Sequence, residues 1–350
     1  MLDFEPRRIV LIKPSALGDI VHSLPVLTAL RGRFPNAHIS WVVNRLYEPL
    51  LRHHSHLDAV IPFERGAGLG SYFTAALYFT RFLRLLQRGH FDLAIDLQGL
   101  LRTGLMTFAT HARARIGLAS AREGATWFYT HRIEDKQEGQ HAVDRYWNVV
   151  EALGAGAGEK EFHVPLDNDA RIWAHSLLQP CQRPWLAVGV GARWLTKRWP
   201  PEHFAALTQR ALDKFGGTAI FVGAPDETAL AGQAVARIKG HVINVAGKTT
   251  LPQLAALLAE VDLMLANDTG PLHLAVALGR PVIAPYTCTQ VARTGPYGQA
   301  GHGVETTIWC RGSYLKKCGR LECMTELTPD RLWFPLHDLL VTWQRQRQPA

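Results

Sequence analysis

The chain has 350 residues, of which 47% are hydrophobic and 19% charged, and its formal net charge is +8 at pH 7. This composition excludes a disordered chain, a collagen and a coiled coil, and the length predicts two domains that each bury a core. No run of about 18 uncharged apolar residues occurs, and no apolar stretch precedes the first strand-like segment. We therefore expect a cytoplasmic protein that is neither secreted nor membrane-spanning.

Cysteines and basic residues indicate the redox state and the kind of partner. The five cysteines are an odd number, which favours reduced thiols. Cys310, Cys318 and Cys323 cluster, but their spacings match no zinc motif, so loop packing is favoured over metal binding and no metal site is predicted.

Residues 43–122 hold ten arginines, no lysine and five acidic residues. Planar guanidinium groups suit phosphate and carboxylate, so this window predicts an anionic partner for the first half.

Strand-like and helix-like segments alternate in the first half of the chain. A β-branched run at residues 8–13 precedes a helical pattern at residues 20–34, and further strand-like runs follow at residues 38–43 and 91–97. Alternation of this kind predicts an α/β domain with a parallel sheet.

The alternation restarts in the second half and predicts a second Rossmann-like domain. Its strands are predicted at residues 185–190, 218–222, 241–245 and 262–266. The glycine-dense stretch at residues 154–160 is typical of the start of a linker. We therefore predict domains at residues 1–165 and 166–328, and a last helix in residues 329–350 that crosses back to the first domain.

The loop after the first strand holds the first candidate for chemistry, because ligands of open parallel sheets bind beyond the carboxyl ends of the strands. Gly18 allows close approach of the backbone to a ligand, and Asp19 lies at the start of a helix. Capping that helix is the commoner role of an aspartate, and the loop alone favours it over catalysis. The single glycine also differs from the three-glycine dinucleotide fingerprint.

The corresponding loop of the second domain is Asn-Asp-Thr-Gly-Pro-Leu-His at residues 267–273. Small polar residues before a proline in a first helical turn leave N–H groups and the positive end of the helix dipole directed outwards, which predicts a phosphate site. Asp268 would repel an anion, so its carboxylate is expected to fix the loop or to accept from sugar hydroxyls. His273 is a candidate phosphate donor, although a lone helical histidine is more often packed.

Two more loops of the second domain carry charged residues. Arg193 and Lys197 follow the strand at residues 185–190, and Glu227 follows the strand at residues 218–222. Each loop alone is a weak signal, since charges in loops are usually solvated. Together, cations for a diphosphate and a carboxylate for ribose hydroxyls predict a nucleoside diphosphate site that faces the carboxylate of the first domain.

Four motifs between residues 8 and 340 resemble those of the lipopolysaccharide heptosyltransferases, glycosyltransferase family 9. They are Ile9–Pro25, Asp92–Arg102, Lys197–Pro200 and Asn267–His273. The segments at residues 120–124 and 141–145 look most like heptosyltransferase I, which adds the first heptose to Kdo on lipid A. The resemblance implies a GT-B fold, in which the parallel sheets of two Rossmann-like domains face each other across a cleft. It also implies an ADP-heptose donor and an inverting, metal-independent transfer without a cofactor.

The resemblance assigns roles to individual residues. Asp19 resembles the general base of the family, Lys197 its diphosphate ligand and Glu227 its ribose-binding acid. The donor-binding residues implied are Arg193, Lys197, Glu227, Asp268, Thr269, Gly270 and His273. The acceptor-binding residues implied are Ser15, Gly18, Arg65, Gln98 and Arg122.

A single displacement fits these residues: Asp19 takes the proton of the acceptor hydroxyl while ADP leaves from the opposite face of the anomeric carbon. Lys197 and the helix that begins at Gly270 would stabilise the charge of the leaving group.

A GT-B nucleotide-sugar 2-epimerase would share the architecture, but it has no need of an arginine-rich acceptor face. An enzyme that adds the second heptose or another sugar, and a sugar-nucleotide-binding protein without catalysis, are also compatible with the motifs. Nucleic acid is not an expected partner, because no reading helix or aromatic platform accompanies the basic residues.

A helix predicted at residues 71–87 carries apolar residues together with Arg81, Arg84 and Arg88 on one side. Such a helix suits an anionic membrane, where the Kdo-lipid A acceptor lies. One hypothesis is therefore peripheral contact with the cytoplasmic face of the inner membrane. A core helix with a solvated arginine face is slightly favoured over it.

Overall fold

The computed structural model describes residues 2–64 and 72–347 of the chain. The chain divides into two compact units, Met1–Pro165 and Leu166–Ala350. Each unit contains one six-stranded sheet, and the paired strands within it run parallel. The α/β architecture predicted from the sequence is therefore present in both halves.

The first unit is a sheet of order β3-β2-β1-β4-β5-β6 with helices packed on it. Its strands are β1 (Arg8–Ile12), β2 (His38–Asn44), β3 (Ala59–Phe63), β4 (Leu93–Asp96), β5 (Ala114–Leu118) and β6 (His131–Ile133). Its helices are α1 (Leu17–Arg33), α2 (Glu48–Leu51), α3 (Tyr72–Gln87), α4 (Leu101–Ala109) and α5 (Ala142–Ala152).

β1 is a continuous run of apolar residues because it lies in the core of the first unit. Ile9–Ile12 are fully buried, as expected for a central strand of a parallel sheet. Val10 and Ile12 lie in one core cluster with Phe82 of α3 and Met106 of α4. The loops that follow β1 and β4 are neighbours, because the two strands pair directly.

The second unit repeats this plan with the sheet order β12-β11-β10-β7-β8-β9. Its strands are β7 (Trp185–Gly189), β8 (Thr218–Val222), β9 (Val242–Asn244), β10 (Leu263–Ala266), β11 (Val282–Tyr286) and β12 (Gly303–Glu305). Its helices are α6 (Asn168–Leu178), α7 (Pro201–Phe215), α8 (Thr228–Val235), α9 (Leu251–Glu260), α10 (Gly270–Ala277), α11 (Val291–Thr294), α12 (Glu322–Glu326) and α13 (Pro329–Arg347).

The last helix, α13, belongs to the second unit. Leu332, Trp333 and Leu336 lie in the core of that unit together with Phe204 of α7. Its apolar face is buried against α7 and β11 of that unit. Within residues 2–64 and 72–347, no helix combines the length and the apolar character that crossing a membrane requires.

Candidate functional site

Asp19 lies in the first turn of α1, just beyond the carboxyl end of β1. Its Oδ2 atom accepts a hydrogen bond from the backbone N–H of Ala16 at 3.0 Å, so the carboxylate does cap the helix. The Asp19 side chain is nevertheless 40% exposed. One oxygen therefore holds the loop while part of the carboxylate faces solvent, and capping does not exclude a role as a base.

A buried lysine supports this carboxylate. Lys13 directly follows β1, and its ammonium donates to Tyr146 Oη at 2.8 Å and to the Leu97 carbonyl at 3.1 Å. Its Nζ atom is 3.6 Å from Asp19 Oδ1. Burial lowers the pKa of Lys13, but Asp19 and Tyr146 raise it by more, so the pKa lies above its ordinary value and the group stays charged. Sequence reasoning missed Lys13 and Tyr146; the available signal was a charged residue at the end of an otherwise apolar strand.

The loop after β4 is built on a second buried carboxylate that the sequence did not single out. Asp96 accepts hydrogen bonds from the backbone N–H groups of Gln98 and Gly99 and from the hydroxyl of Tyr129. Burial raises the pKa of Asp96 above its usual range, although these hydrogen bonds oppose the shift. Gly99 has φ +66°, a conformation that favours glycine. The fixed loop brings Gln98 Oε1 to 3.3 Å from the N–H of Ser15, which joins it to the Asp19 loop.

The other predicted acceptor residues take different places. Gly18 lies in the first turn of α1 beside Asp19. Arg122 donates its backbone N–H to the Gly99 carbonyl at 2.8 Å, and its side chain is exposed next to the Gln98 loop. Arg65 lies outside the described residues. Five of the predicted residues of the first unit thus lie at the start of α1 or in loops joined to it by hydrogen bonds: Ser15, Gly18, Asp19, Gln98 and Arg122.

Asp268 lies at the centre of a hydrogen-bond network in the second unit. Its buried carboxylate accepts from Lys197 Nζ at 2.6 Å, from Thr289 Oγ1 at 2.7 Å and from His273 Nε2 at 3.1 Å. Burial alone would raise the pKa of Asp268, but Lys197 and His273 hold it well below its usual range. Of the two roles expected for this carboxylate, the arrangement matches the fixing of the loop. His273 is packed, as expected for a lone helical histidine.

The loop before α10 presents the start of a helix. Thr269 is the N-cap residue of α10, and its hydroxyl donates to the Asn267 carbonyl at 3.2 Å rather than capping the helix. Pro271 has no N–H, so Gly270 and Leu272 carry the backbone N–H groups of the first turn that lack a carbonyl partner within the helix, which is the condition for anion binding. Buried Asn267 fixes the loop: its amide donates to Val190, and its carbonyl accepts from the N–H of Trp199.

Glu227 lies over two glycines. A Cβ atom at Gly191 would overlap the Glu227 carboxylate, and one at Gly223 would lie 3.1 Å from its Oε2 atom. Burial raises the pKa of Glu227 above its ordinary value, although the backbone N–H of Ala224, 2.9 Å from Oε2, opposes the shift. Arg193, in contrast, is exposed in the loop after β7.

The sheet order explains why these loops form one site. β7 pairs with β8 on one side and with β10 on the other, so the loops after all three strands lie at the same edge. Cationic Lys197, the start of α10 and the carboxylate of Glu227 together suit a diphosphate and a ribose. The second unit therefore has the polar groups that a nucleoside diphosphate requires.

The five cysteines are not paired with one another. All five are free thiols. Among the residues with described positions, no three His, Cys, Asp or Glu side chains are arranged to hold a metal ion.

Comparison with known proteins identifies the family. Residues 79–323 match glycosyltransferase family 9 (heptosyltransferase). The chain is 26% identical to lipopolysaccharide core heptosyltransferase OpsX of Haemophilus influenzae, over 83% of this chain and 82% of the relative. It is 28% identical to lipopolysaccharide heptosyltransferase 1 of Pseudomonas aeruginosa, over 89% and 87%. It is 25% identical to lipopolysaccharide heptosyltransferase 2 of Salmonella typhimurium, over 95% and 98%.

Solved structures give the fold. A glycosyltransferase family 9 protein from Veillonella parvula superposes with a TM-score of 0.80 at 23% identity, over 96% of this chain and 97% of that one. The Escherichia coli heptosyltransferase WaaC, solved with ADP, gives a TM-score of 0.75 at 25% identity, over 95% and 99%. The fold is therefore GT-B, with two Rossmann-like α/β units. The chain belongs to glycosyltransferase family 9, the heptosyltransferases, and is a glycosyltransferase.

Proposed function

We propose that this enzyme transfers a heptose from ADP-heptose to a Kdo residue of the lipopolysaccharide inner core, with Asp19 as the general base. The observation that carries the proposal is the Asp19 carboxylate, which is fixed through Ala16 and Tyr146 but 40% exposed. A base has to be held in place and yet be open to its substrate, and this carboxylate meets both conditions.

The donor half of the proposal rests on the second unit. The Escherichia coli WaaC has been solved with ADP and with ADP-2-deoxy-2-fluoro heptose. By analogy, Lys197 and the first turn of α10 would hold the diphosphate, and Glu227 would accept from ribose hydroxyls. The positive charge of Lys197 and the helix dipole would stabilise the phosphate charge that develops as ADP leaves.

The chemistry is a single displacement with inversion. The acceptor oxygen forms a bond to the anomeric carbon as the bond from that carbon to the β-phosphate oxygen breaks. The proton of the acceptor hydroxyl passes to Asp19, and the electron pair of the broken bond leaves with ADP. No cofactor is required by this step, because one base and one anion-binding site are sufficient.

The acceptor is proposed to be Kdo on lipid A, so that the first heptose is added. The segments at residues 120–124 and 141–145, which are most like heptosyltransferase I, support this choice. Addition of the second heptose is the competing function, because heptosyltransferase 2 relatives match 95% of the chain at 25–26% identity. Membership of family 9 does not favour the epimerase alternative.

The test is a transfer assay with purified protein, ADP-heptose and two acceptors, Kdo-lipid A and its monoheptosylated form. ADP release and the mass of the product are measured. We expect transfer to Kdo-lipid A, and we expect Asp19→Asn to lower turnover by at least about 100-fold, since general-base catalysis contributes about 10² to 10⁴.

The asparagine variant separates the base from the helix cap. An Asn side-chain oxygen still accepts from the N–H of Ala16, so the helix cap and the ADP affinity should match those of the wild type, while the melting temperature should fall because the buried Lys13 ammonium loses a counter-charge. Near wild-type turnover of Asp19→Asn would remove Asp19 as the base. Transfer only to the monoheptosylated acceptor would replace the first-heptose assignment by the second.

We further propose that the enzyme works at the cytoplasmic face of the inner membrane, in peripheral contact with it. The support comes from α3, whose outer face combines the exposed apolar residues Phe73 and Leu77 with the exposed Arg81 and Arg84. Apolar and arginine side chains on one face suit an anionic lipid surface.

A further inference from the structure

The environment of Asp19 contains a permanent positive charge that the reaction described above does not use. The side chain of Lys13 is only 3% exposed. Two of its three N–H groups are accounted for by Tyr146 Oη and the Leu97 carbonyl. At 3.6 Å, Asp19 Oδ1 is too far for a hydrogen bond but close enough for strong attraction where water is excluded.

The direction of the hydrogen bonds follows from the chemistry of the donors. An ammonium group only donates, so the Tyr146 oxygen accepts from Lys13. The hydroxyl proton of Tyr146 is then donated to Asp19 Oδ1, which lies 3.2 Å away. Because Ala16 donates to Oδ2, both carboxylate oxygens are held and the plane of the group is fixed.

We propose that Lys13 and Tyr146 are positioning residues for Asp19: the tyrosine hydroxyl fixes the orientation of the carboxylate, and the buried lysine holds the tyrosine in place. The inference rests on the proposed role of Asp19. The buried ammonium of Lys13 also attracts the Asp19 carboxylate across 3.6 Å, which adds to the two hydrogen bonds that hold it. The network also joins β1, the loop after β4 and α5, so the base is held by three elements at once.

Other titratable groups face this network and remain in place in the variants below. Asp96 at the end of β4 contributes to the field at Lys13, and Arg145 contributes to the field at Tyr146. His22 on α1 and His141 at the start of α5 pack ring against ring, with centroids 5.2 Å apart.

The kinetic test compares Lys13→Met and Tyr146→Phe with the wild type over a range of pH. We expect kcat to fall about 10-fold in each variant, with KM for ADP-heptose unchanged within about twofold, because the donor residues lie in the second unit. The loss in kcat should be of similar size at every pH, because both variants change the orientation of the carboxylate. Tyr78→Phe, which removes a hydroxyl from α3, is the matched control and should match the wild type.

A second readout does not depend on activity. In protein labelled with ¹³C at the aspartate carboxyl carbons, the Asp19 signal is the one that Asp19→Asn removes. Its chemical shift should change in Lys13→Met and in Tyr146→Phe, because the hydrogen bond from Tyr146 to Asp19 Oδ1 is disturbed or lost, and should stay in place in Tyr78→Phe. If Lys13→Met does not fold, as judged by circular dichroism, Tyr146→Phe alone decides, since it removes a single oxygen atom.

The outcomes separate this inference from the proposed function. Folded variants with wild-type kcat and an unmoved carboxyl signal would overturn the positioning role, even if Asp19→Asn is inactive. Absence of heptose transfer by the wild type would overturn the proposed function, while the chemical shift of the Asp19 carboxyl carbon still decides whether Lys13 and Tyr146 position Asp19.

Discussion

Asp268 and Lys197 show how a buried charge is tolerated beside the proposed diphosphate site. An unpaired carboxylate at the position of Asp268 would cost several kcal/mol, and Lys197 at 2.6 Å offsets much of that cost. The side chain of Lys197 remains 18% exposed, so the loop does not fully enclose it. The same lysine can therefore fix the loop and meet an anion.

We expect Lys197→Ala to have two effects that can be measured separately. ADP affinity should fall by about 1.5 to 3 kcal/mol, the range for a hydrogen bond to a charged group. The free energy of unfolding should also fall, because Asp268 loses its cation. Isothermal titration calorimetry measures the first effect and urea unfolding the second.

Thr289→Val is the control for that prediction. The Thr289 hydroxyl donates to Asp268 from a buried position, and valine has nearly the same shape without the donor. It should lower stability and leave ADP affinity unchanged. If it weakens ADP binding as much as Lys197→Ala does, Lys197 acts on the nucleotide only through the loop.

His54 predicts a pH dependence of stability in the first unit. Its Nε2 atom lies 2.9 Å from the His163 carbonyl, and its Nδ1 atom accepts from the N–H of His56, so the neutral ring is the form that fits. Burial, with His163 nearby, lowers the pKa of His54 from 6.5 to about 4. Between these two values the unfolded chain binds more protons, so the free energy of unfolding should decrease as the pH falls from about 6.5 to about 4, by about 3 kcal/mol in total.

Urea unfolding at a series of pH values measures this dependence. The other charged groups around the histidines are Arg31 and Glu161, which both face His56. His54→Gln should be less stable at pH 7 but should have a smaller slope below pH 6.5. His111→Gln, at an exposed position, should keep the slope of the wild type. An unchanged slope in His54→Gln would assign the acid sensitivity to another group.

Individual site residues were predictable only where the chain itself brings them to a strand end. Asp19, Lys197 and Asp268 follow strands β1, β7 and β10, and their position alone marks them as candidates. Tyr146 could not be found in this way, because it reaches Asp19 from a helix that begins more than 120 residues later. Whether a carboxylate in a loop caps, binds or reacts depends on such distant partners, which periodicity does not encode.

At the scale of elements, α3 has two different faces. Phe82 and Leu86 are buried in the core of the first unit. Phe73 is 77% exposed and Leu85 is 54% exposed, so the apolar residues predicted for this helix do not all face the core. Residues 65–91 include no acidic residue. The helix is therefore a core helix that also presents apolar and basic groups outwards.

We expect the triple charge reversal of Arg81, Arg84 and Arg88 to glutamate to weaken binding to anionic vesicles. Each basic residue near such a surface contributes about 1 kcal/mol, so the partition coefficient should fall at least 100-fold. Flotation with vesicles of phosphatidylglycerol and phosphatidylethanolamine measures it, and phosphatidylcholine vesicles show whether charge is responsible.

A reversal of the same size in the second unit is the control. Arg171, Lys214 and Arg237 are exposed on helices of that unit or at their ends. Their change to glutamate alters the net charge equally and should leave flotation nearly unaffected. Equal losses from both triple variants would indicate attraction by net charge alone, and no loss from the α3 variant would leave α3 as a core helix with a solvated face.

Whether a strand or helix could be predicted from the sequence depends on how it is buried in the fold. Strands at the centre of each sheet, such as β1 and β7, are buried on both faces and read as apolar runs. The edge strands β6 and β12 have three residues each, and β12 is only half-buried, so no comparable signal exists. For α13, amphipathic periodicity indicated the helix, but it does not specify which sheet covers the apolar face.

At the scale of the whole molecule, the two units differ in what they carry. All the residues proposed to bind the donor lie after Leu166, and Asp19 with the acceptor loops lies before Pro165. The basic residues are divided equally, with 19 in residues 1–165 and 19 in the remainder. The donor and acceptor roles proposed for the two units therefore depend on which side chains lie at the strand ends, and not on a difference in the number of basic residues.

This division predicts that the second unit binds the nucleotide by itself. Residues 166–350 contain their own core, which includes Trp199, Phe204 and Trp333, and the complete Lys197–Asp268 network. The isolated fragment should fold cooperatively and bind ADP with an affinity within about threefold of the full chain, a difference of less than about 1 kcal/mol. Circular dichroism checks folding and calorimetry checks binding, with the Lys197→Ala fragment as the control. A folded fragment that does not bind ADP would mean that the first unit supplies essential contacts to the nucleotide.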